Sequence, residues 1–223
     1  ETDGIDITTS DGSCVPVDDT NLIYSSAKFL YELCGHKFRG LKLIQENNIP
    51  MTRGLGSSSA CIVAGLVGAN ALLGDPLSKD DLVNLAARLE GHPDNSTPAI
   101  LGGLVASVFD GNRVYSVKVP ISGRLRFAAF IPNFELKTEV ARAALPEMVP
   151  HKEAIYNLSR AALMTASLFS GRLDNLKIAA GDRLHQPYRL KFIKGAEEIF
   201  DLALKSGAYA TFISGAGPTL MAM

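Results

Sequence analysis

Residues 49–60 read IPMTRGLGSSSA, in which two glycines bracket a leucine and three serines run into an apolar stretch. The first N–H groups of a helix have no intrahelical partner, and the aligned peptide dipoles leave partial positive charge beside them. Donors and field together suit an anion, above all a polyphosphate. Gly54 and Gly56 carry no Cβ to hold a ligand away from the main chain. Ser57, Ser58 and Ser59 add hydroxyls for phosphate or for Mg2+, which takes oxygen ligands. Pro50, Arg53 and Leu55 complete the loop, with Arg53 either approaching a nucleotide or pointing into solvent. A tight turn with a serine cap would use the same residues, so the loop alone does not decide. It lacks the Gly-Lys-Ser/Thr ending of the P-loop and is no GxGxxG fingerprint, which leaves a dinucleotide-binding oxidoreductase poorly supported.

Glu90 stands where a helix should end, and a carboxylate there opposes the negative pole of the dipole unless a cation compensates. The segment GHPDNSTP follows, with His92, Asp94 and Asn95 close together in a breaker-rich loop. Such residues form turns, and Asn95 or Ser96 would serve as cap of a helix begun by Pro98. Farther on, Gly215 and Gly217 lie in a GAGP turn flanked by apolar segments.

The elements that must position these residues are legible in outline. LIYSSAKFLYELC after Asn21 places Ile23, Ala27, Leu30 and Cys34 on one helical face, with Asn21 as N-cap and Gly35 as C-terminal cap. Leu41 and Leu43 alternate in a strand over 38–45. A helix rich in small residues over 57–73 must pack closely against a sheet or another helix. Ser78 and Asp81 form a capping box, and Leu82, Leu85, Ala86 and Leu89 make a stripe leading to Glu90. VASVF and VYSVKV around Asp110, Gly111 and Asn112 predict a hairpin. A strand over 126–131 opens the second half. Helices are then expected near 138–145, 150–169, 173–180 and 195–205, and the strand over 208–213, the GAGP turn and a last strand from Thr219 follow. The expectation is an α+β chain of two domains, 1–121 and 122–223, with both termini truncated.

Composition bounds the function. At 223 residues, 47% hydrophobic and with formal charge -1, the chain buries a sizeable core and offers no broad basic surface for nucleic acid. Three cysteines at no metal-ligand spacing imply reduced thiols and a cytoplasmic setting. No apolar run is long enough for a membrane span.

Two segments in order, IPMTRGLGSSSACIVAG and ISGAGPT, resemble the second and third motifs of the galactokinase, homoserine kinase, mevalonate kinase and phosphomevalonate kinase superfamily. LEGHPDNSTPAILGG, TEVARAALP and HQPYR resemble its homoserine kinase branch most closely. The resemblance covers essentially the whole chain, apart from the family's polar, glycine-rich N-terminal motif and a portion beyond the third motif. It implies a two-domain small-molecule kinase fold: an N-terminal mixed β-sheet with helices carrying the phosphate loop and metal carboxylate, and an incomplete ferredoxin-like α/β sandwich.

The activity implied is transfer of the ATP γ-phosphoryl group to the side-chain hydroxyl of L-homoserine, on the route to threonine. By resemblance Ser57 and Glu90 hold Mg2+, Asp94 meets the substrate ammonium group, Asn95 its hydroxyl, and His92 lines the same site. Arg142 and Arg189 clasp the carboxylate, since a guanidinium presents a planar pair of donors. Thr138 places a hydroxyl near the reacting groups, Asn21 is an adenine-side contact, and the GAGP turn packs against the phosphate loop. No general base is assigned, and a homodimer is left open. Two other readings compete: a superfamily kinase for mevalonate, shikimate or a sugar, and an inactive nucleotide-binding module. A substrate without an ammonium group leaves Asp94 superfluous; one without a carboxylate leaves the arginines unemployed.

Overall fold

In the computed structural model of the chain, which describes residues 3–121, 123 and 125–223, Asn21 caps the first helix as its pattern predicts. Its Oδ1 accepts from the N–H groups of Ile23 and Tyr24 at the start of α1 (Leu22–Leu33). These residues form two compact units, one running to Pro50 and resuming over Gly56–Lys118, the other comprising Met51–Leu55 and Val119–Met223. The glycine loop is thus divided at Leu55 and Gly56. No helix among the described residues is long and apolar enough to cross a membrane.

The first unit opens with β1 (Gly4–Thr9), parallel to β2 (Gly40–Gln45) with Ile5 opposite Leu41 and Ile7 opposite Leu43. Only Ile7 of β1 is buried, so its alternation is too faint to read from sequence. Helix α2 (Ser57–Leu72) packs on α1 through Gly65, where an added Cβ would run into the Ile23 carbonyl oxygen and come within 2.8 Å of Ser26 Cβ. That close approach is what the small-residue helix predicted. Leu30 and Leu66 are fully buried in the core it creates, together with Leu82, Leu85 and Ala86 of α3 (Lys79–Glu90).

The capping box of Ser78 and Asp81 is present. The stripe, however, does not run to Leu89, which is 39% exposed. Val83 and Ala87 are buried in its place against Val114, because the hairpin of β3 (Leu104–Phe109) and β4 (Val114–Val119) covers a second face of α3. The first-unit strands lie as two pairs, in place of one mixed sheet. The short α4 (Ser96–Leu101) starts two residues before Pro98, and Asn95 at its N-cap makes no side-chain capping bond.

In the second unit β5 (Ala128–Phe130), β6 (Thr211–Ile213) and β7 (Leu220–Ala222) form an antiparallel sheet in the order β5-β7-β6. Its helices are α5 (Thr138–Ala143), α6 (His151–Ser170), α7 (Leu176–Ala179), α8 (Gln186–Arg189) and α9 (Ala196–Lys205). Residues 173–175, expected within one helix with α7, form a 3-10 turn ahead of it. Helix α8 was not expected; with a single turn it carries no periodic signal. Ile193, Ala196, Ile213 and Leu220 make the core beneath the sheet.

Candidate active site

Helix α2 starts without a side-chain cap: Gly56 precedes it in the left-handed region (φ 76), and no acidic residue lies in its first turn. Its first N–H groups are therefore donors without intrahelical acceptors, in the positive end of the dipole. Ser58 is exposed and Ser57 half-buried, whereas Ser59 is buried and its Oγ has no partner. Across from Gly56, Asn95 Oδ1 would lie 3.5 Å from an added Cβ, so the amide left free by α4 stands against the N-cap of α2. The sequence left Asn95 as a helix cap or a ligand group; its vacant amide supports the second.

Glu90 closes α3, and Gly91 (φ 84) turns the chain away with its N–H on the Ala87 carbonyl. Glu90 Oε2 is buried and has no hydrogen-bond partner. A carboxylate oxygen withdrawn from water without a donor or cation is costly, so a metal ion fits this position. No group of three or more His, Cys, Asp or Glu side chains could hold a metal by itself among the described residues. Asp94 is largely exposed, with a carboxylate oxygen 2.5 Å from His92 Nδ1, within ion-pair distance but out of line for a hydrogen bond.

Asn21 serves as the helix cap its pattern predicts, and not as the adenine contact the resemblance implies. It is 3% exposed, its Oδ1 caps α1, and its Nδ2 donates to Pro16 O and Gln45 Oε1. Nothing is left for an adenine contact, and the residue is structural. Pro50, at the end of the first-unit segment, is exposed.

In the second unit, Arg53 also points elsewhere than the sequence implied. Its Nε donates to Pro132 O and its Nη1 to Met51 O and Thr52 Oγ1, with Glu135 at 3.7 Å. It braces its own loop. Leu55 is half-buried in the same segment. Gly54 (φ 72) is a glycine chiefly because of the GAGP turn: an added Cβ would meet the Ser214 carbonyl oxygen and lie 2.8 and 2.9 Å from Gly217 O and N. Ser214 Oγ donates to Gly54 O at 2.7 Å and the Thr219 N–H to Arg53 O at 3.3 Å. The packing of turn on loop is therefore present, and Ser214, overlooked in the sequence, clasps it. Gly54→Ala is expected to destabilise the protein by about 1–3 kcal/mol through overpacking against main-chain atoms that cannot yield, with about 1–2 kcal/mol more for the left-handed backbone. Chemical denaturation measures it; a change within error would show that the contact is slack.

Arg142 and Thr138 lie on α5 and are exposed. Arg189, at the end of α8, is 8% exposed; its Nη1 donates to Gly215 O at 3.0 Å and its Nε to Ala141 O at 3.4 Å. Neither arginine has a carboxylate within ion-pair distance among the described residues. Burial lowers the Arg189 pKa; the Asp182 carboxylate opposes that, and the Arg142 charge adds to it. The Arg189 guanidinium is thus buried, holds two main-chain carbonyls and feels charges of both signs from Asp182 and Arg142.

Asp182 was not singled out from the sequence. It accepts from Asn157 Nδ2 (2.7 Å) and from the N–H groups of Leu184 (2.7 Å), His185 (3.1 Å) and Gln186 (2.8 Å). Burial alone would raise its pKa, but these hydrogen bonds outweigh it and hold the carboxyl below 3.8. A depressed folded-state pKa gives stability that is complete above the unfolded value and is lost as pH falls through the folded one. The stability gap between wild type and Asp182→Asn should thus be constant near neutrality and narrow below about pH 4, which acid unfolding followed by circular dichroism would show. A gap independent of pH would mean that the ionised form is not preferred in the fold.

The N-terminal domain family of the GHMP kinases matches residues 21–103, and their C-terminal domain family matches residues 154–223. The homoserine kinase of Clostridium beijerinckii is 45% identical over 207 residues, covering 92% of this chain and 70% of that protein. The chain belongs to the GHMP kinases, in the homoserine kinase branch. The homoserine kinase of Caldicellulosiruptor saccharolyticus is likewise 45% identical over 221 residues, 99% of this chain and 72% of that one. A crystal structure of homoserine kinase from Cytophaga hutchinsonii superposes with a TM-score of 0.89 at 28% identity, over 100% of this chain and 73% of that one. The structure of a putative homoserine kinase from Listeria monocytogenes gives 0.81 at 35% identity, over 100% and 74%. As a GHMP kinase of this branch the chain is an ATP-using phosphotransferase with an alcohol group as acceptor, and its α+β, two-unit architecture is the family's.

Proposed function

We propose that the chain phosphorylates the side-chain hydroxyl of L-homoserine with ATP, giving O-phospho-L-homoserine and ADP, and that the residues described above divide the work as follows. The first N–H groups of α2 and the hydroxyls of Ser57, Ser58 and Ser59 bind the phosphates. Glu90 and Ser57 would hold Mg2+, which when bound offsets charge on the phosphate oxygens. Asp94 faces the ammonium group of the amino acid, with His92 steadying its carboxylate, and Asn95 orients the acceptor hydroxyl through its free amide. Arg142 and Arg189 take the substrate carboxylate, and Thr138 adds a hydroxyl beside it. The homoserine oxygen forms the new bond to the γ-phosphorus as the bond to the bridging oxygen of ADP breaks, and the hydroxyl proton is released to solvent. Such a reaction asks mainly for alignment and charge neutralisation.

The observation that carries the choice of acceptor is the buried Arg189, which has no carboxylate within ion-pair distance among the described residues and feels the Arg142 charge. It favours a carboxylate on the acceptor, and the family resemblance assigns Asp94 to an ammonium group. A coupled ADP-release assay on the full-length protein with homoserine, mevalonate, shikimate and galactose tests this. Homoserine should be turned over well ahead of the other three, and preference for any of them would overturn the assignment. Three free thiols support a reducing, cytoplasmic setting, and light scattering tests a homodimer.

A further inference from the structure

Arg189 sits at the end of α8, a helix of only one turn. A single turn fixes several backbone dihedrals for very few hydrogen bonds and does not persist unaided. Within α8 and its flank, His185 O accepts from the N–H groups of Tyr188 (3.1 Å) and Arg189 (3.2 Å), and His185 at the N-cap offers no side-chain bond. The capping is done from farther back. Asp182 takes the N–H groups of Leu184 and His185 on Oδ1 and that of Gln186 on Oδ2.

Asp182 is itself anchored. Asn157 of α6 donates to it and accepts from the Arg183 N–H at 2.9 Å. Tyr156 lies under the guanidinium groups of Arg160 and Arg183, at 3.2 and 3.8 Å from its ring centre. An added Cβ on Gly181 would fall 2.7 Å from Tyr156 Oη, so the segment before Asp182 is pressed onto α6. At the other end Gln186 Oε1 accepts the Ile213 N–H at 2.9 Å, tying α8 to the strand that leads into the GAGP turn.

We propose that Asp182 is a positioning residue for substrate binding: by capping α8 against the long helix α6, it sets the guanidinium of Arg189 where a ligand carboxylate is met. This rests on the assignment of Arg189 to the homoserine carboxylate. It assigns the residue no contact with the substrate. Three of the four hydrogen bonds end on Oδ1, so an asparagine keeps the contacts with Asn157, Leu184 and His185 while removing the charge and the acceptor for the Gln186 N–H, the one bond made to α8 itself.

The test is steady-state kinetics on the full-length protein with Asp182→Ala, Asp182→Asn, Arg189→Ala and the Asp182→Ala/Arg189→Ala double mutant, each checked by thermal melting. Asp182→Ala should raise the homoserine KM about 10-fold, since loosening a charge-assisted contact forfeits much of its 10- to 100-fold worth, with the ATP KM little moved. Asp182→Asn, which keeps the anchoring of the flank, should recover part of that loss, and the double mutant should match Arg189→Ala alone. Equal rises in both KM values, an asparagine variant as poor as alanine, or factors that multiply in the double mutant would each overturn the proposal. If Arg189→Ala by itself leaves the homoserine KM unchanged, the carboxylate assignment falls and the proposal with it. An effect of Arg189→Ala without one of Asp182→Ala sinks the proposal alone.

Discussion

Glu90→Gln in the full-length protein is expected to lower kcat by about two to three orders of magnitude, the cost typical of removing one group that stabilises charge in the transition state. The same substitution should leave the melting temperature without added metal unchanged or slightly raised. The reason is the state of the carboxylate: Oε2 is buried and meets no donor. An anion so placed weakens the fold in the absence of a cation, and a neutral amide relieves part of that cost. The two readouts moving in opposite directions separate a metal ligand from a structural residue. Turnover retained at limiting Mg2+, or a clear fall in melting temperature with kcat preserved, would remove Glu90 from the metal site.

Arg189→Ala carries the second large effect. A charge-assisted hydrogen bond contributes about 1.5–3 kcal/mol, so the homoserine KM should rise by about 10- to 100-fold while the ATP KM changes far less. Because the same guanidinium holds the carbonyls of Ala141 and Gly215, this variant should also melt earlier. Arg142→Ala provides the comparison: its side chain is exposed, so it should weaken homoserine binding with little loss of stability. Arg189→Lys keeps the charge but not the planar fork, and should recover only part of the affinity. Equal rises in KM for both substrates would break the carboxylate assignment.

What could be read in advance follows the range of the interactions involved. The capping box of Ser78 and Asp81, the cap at Asn21 and the Asp110–Arg113 hairpin are made between residues a few positions apart, and such local hydrogen bonding leaves its mark in short sequence patterns. The glycine-led, uncapped start of α2 belongs to the same class. The second face of α3 was hidden, since it depends on where β4 lies. So was the role of Gly54. Its spacing in the loop pointed to a ligand, but the room for its missing Cβ is taken by Ser214 and Gly217, about 160 residues away in the chain.

The amino-acid order by itself determined the glycine-led, serine-rich helix start, the carboxylate at the end of α3 and the family, because each rests on residue types at short, fixed offsets. Only the tertiary structure decided which polar groups remain free to act. It used up Asn21 and Arg53 in hydrogen bonds to their own surroundings, left the Asn95 amide and Glu90 Oε2 without partners, and buried Arg189 on a one-turn helix held by Asp182. The physical reason is that a side chain's availability depends on what packs around it, and those neighbours come from distant parts of the chain.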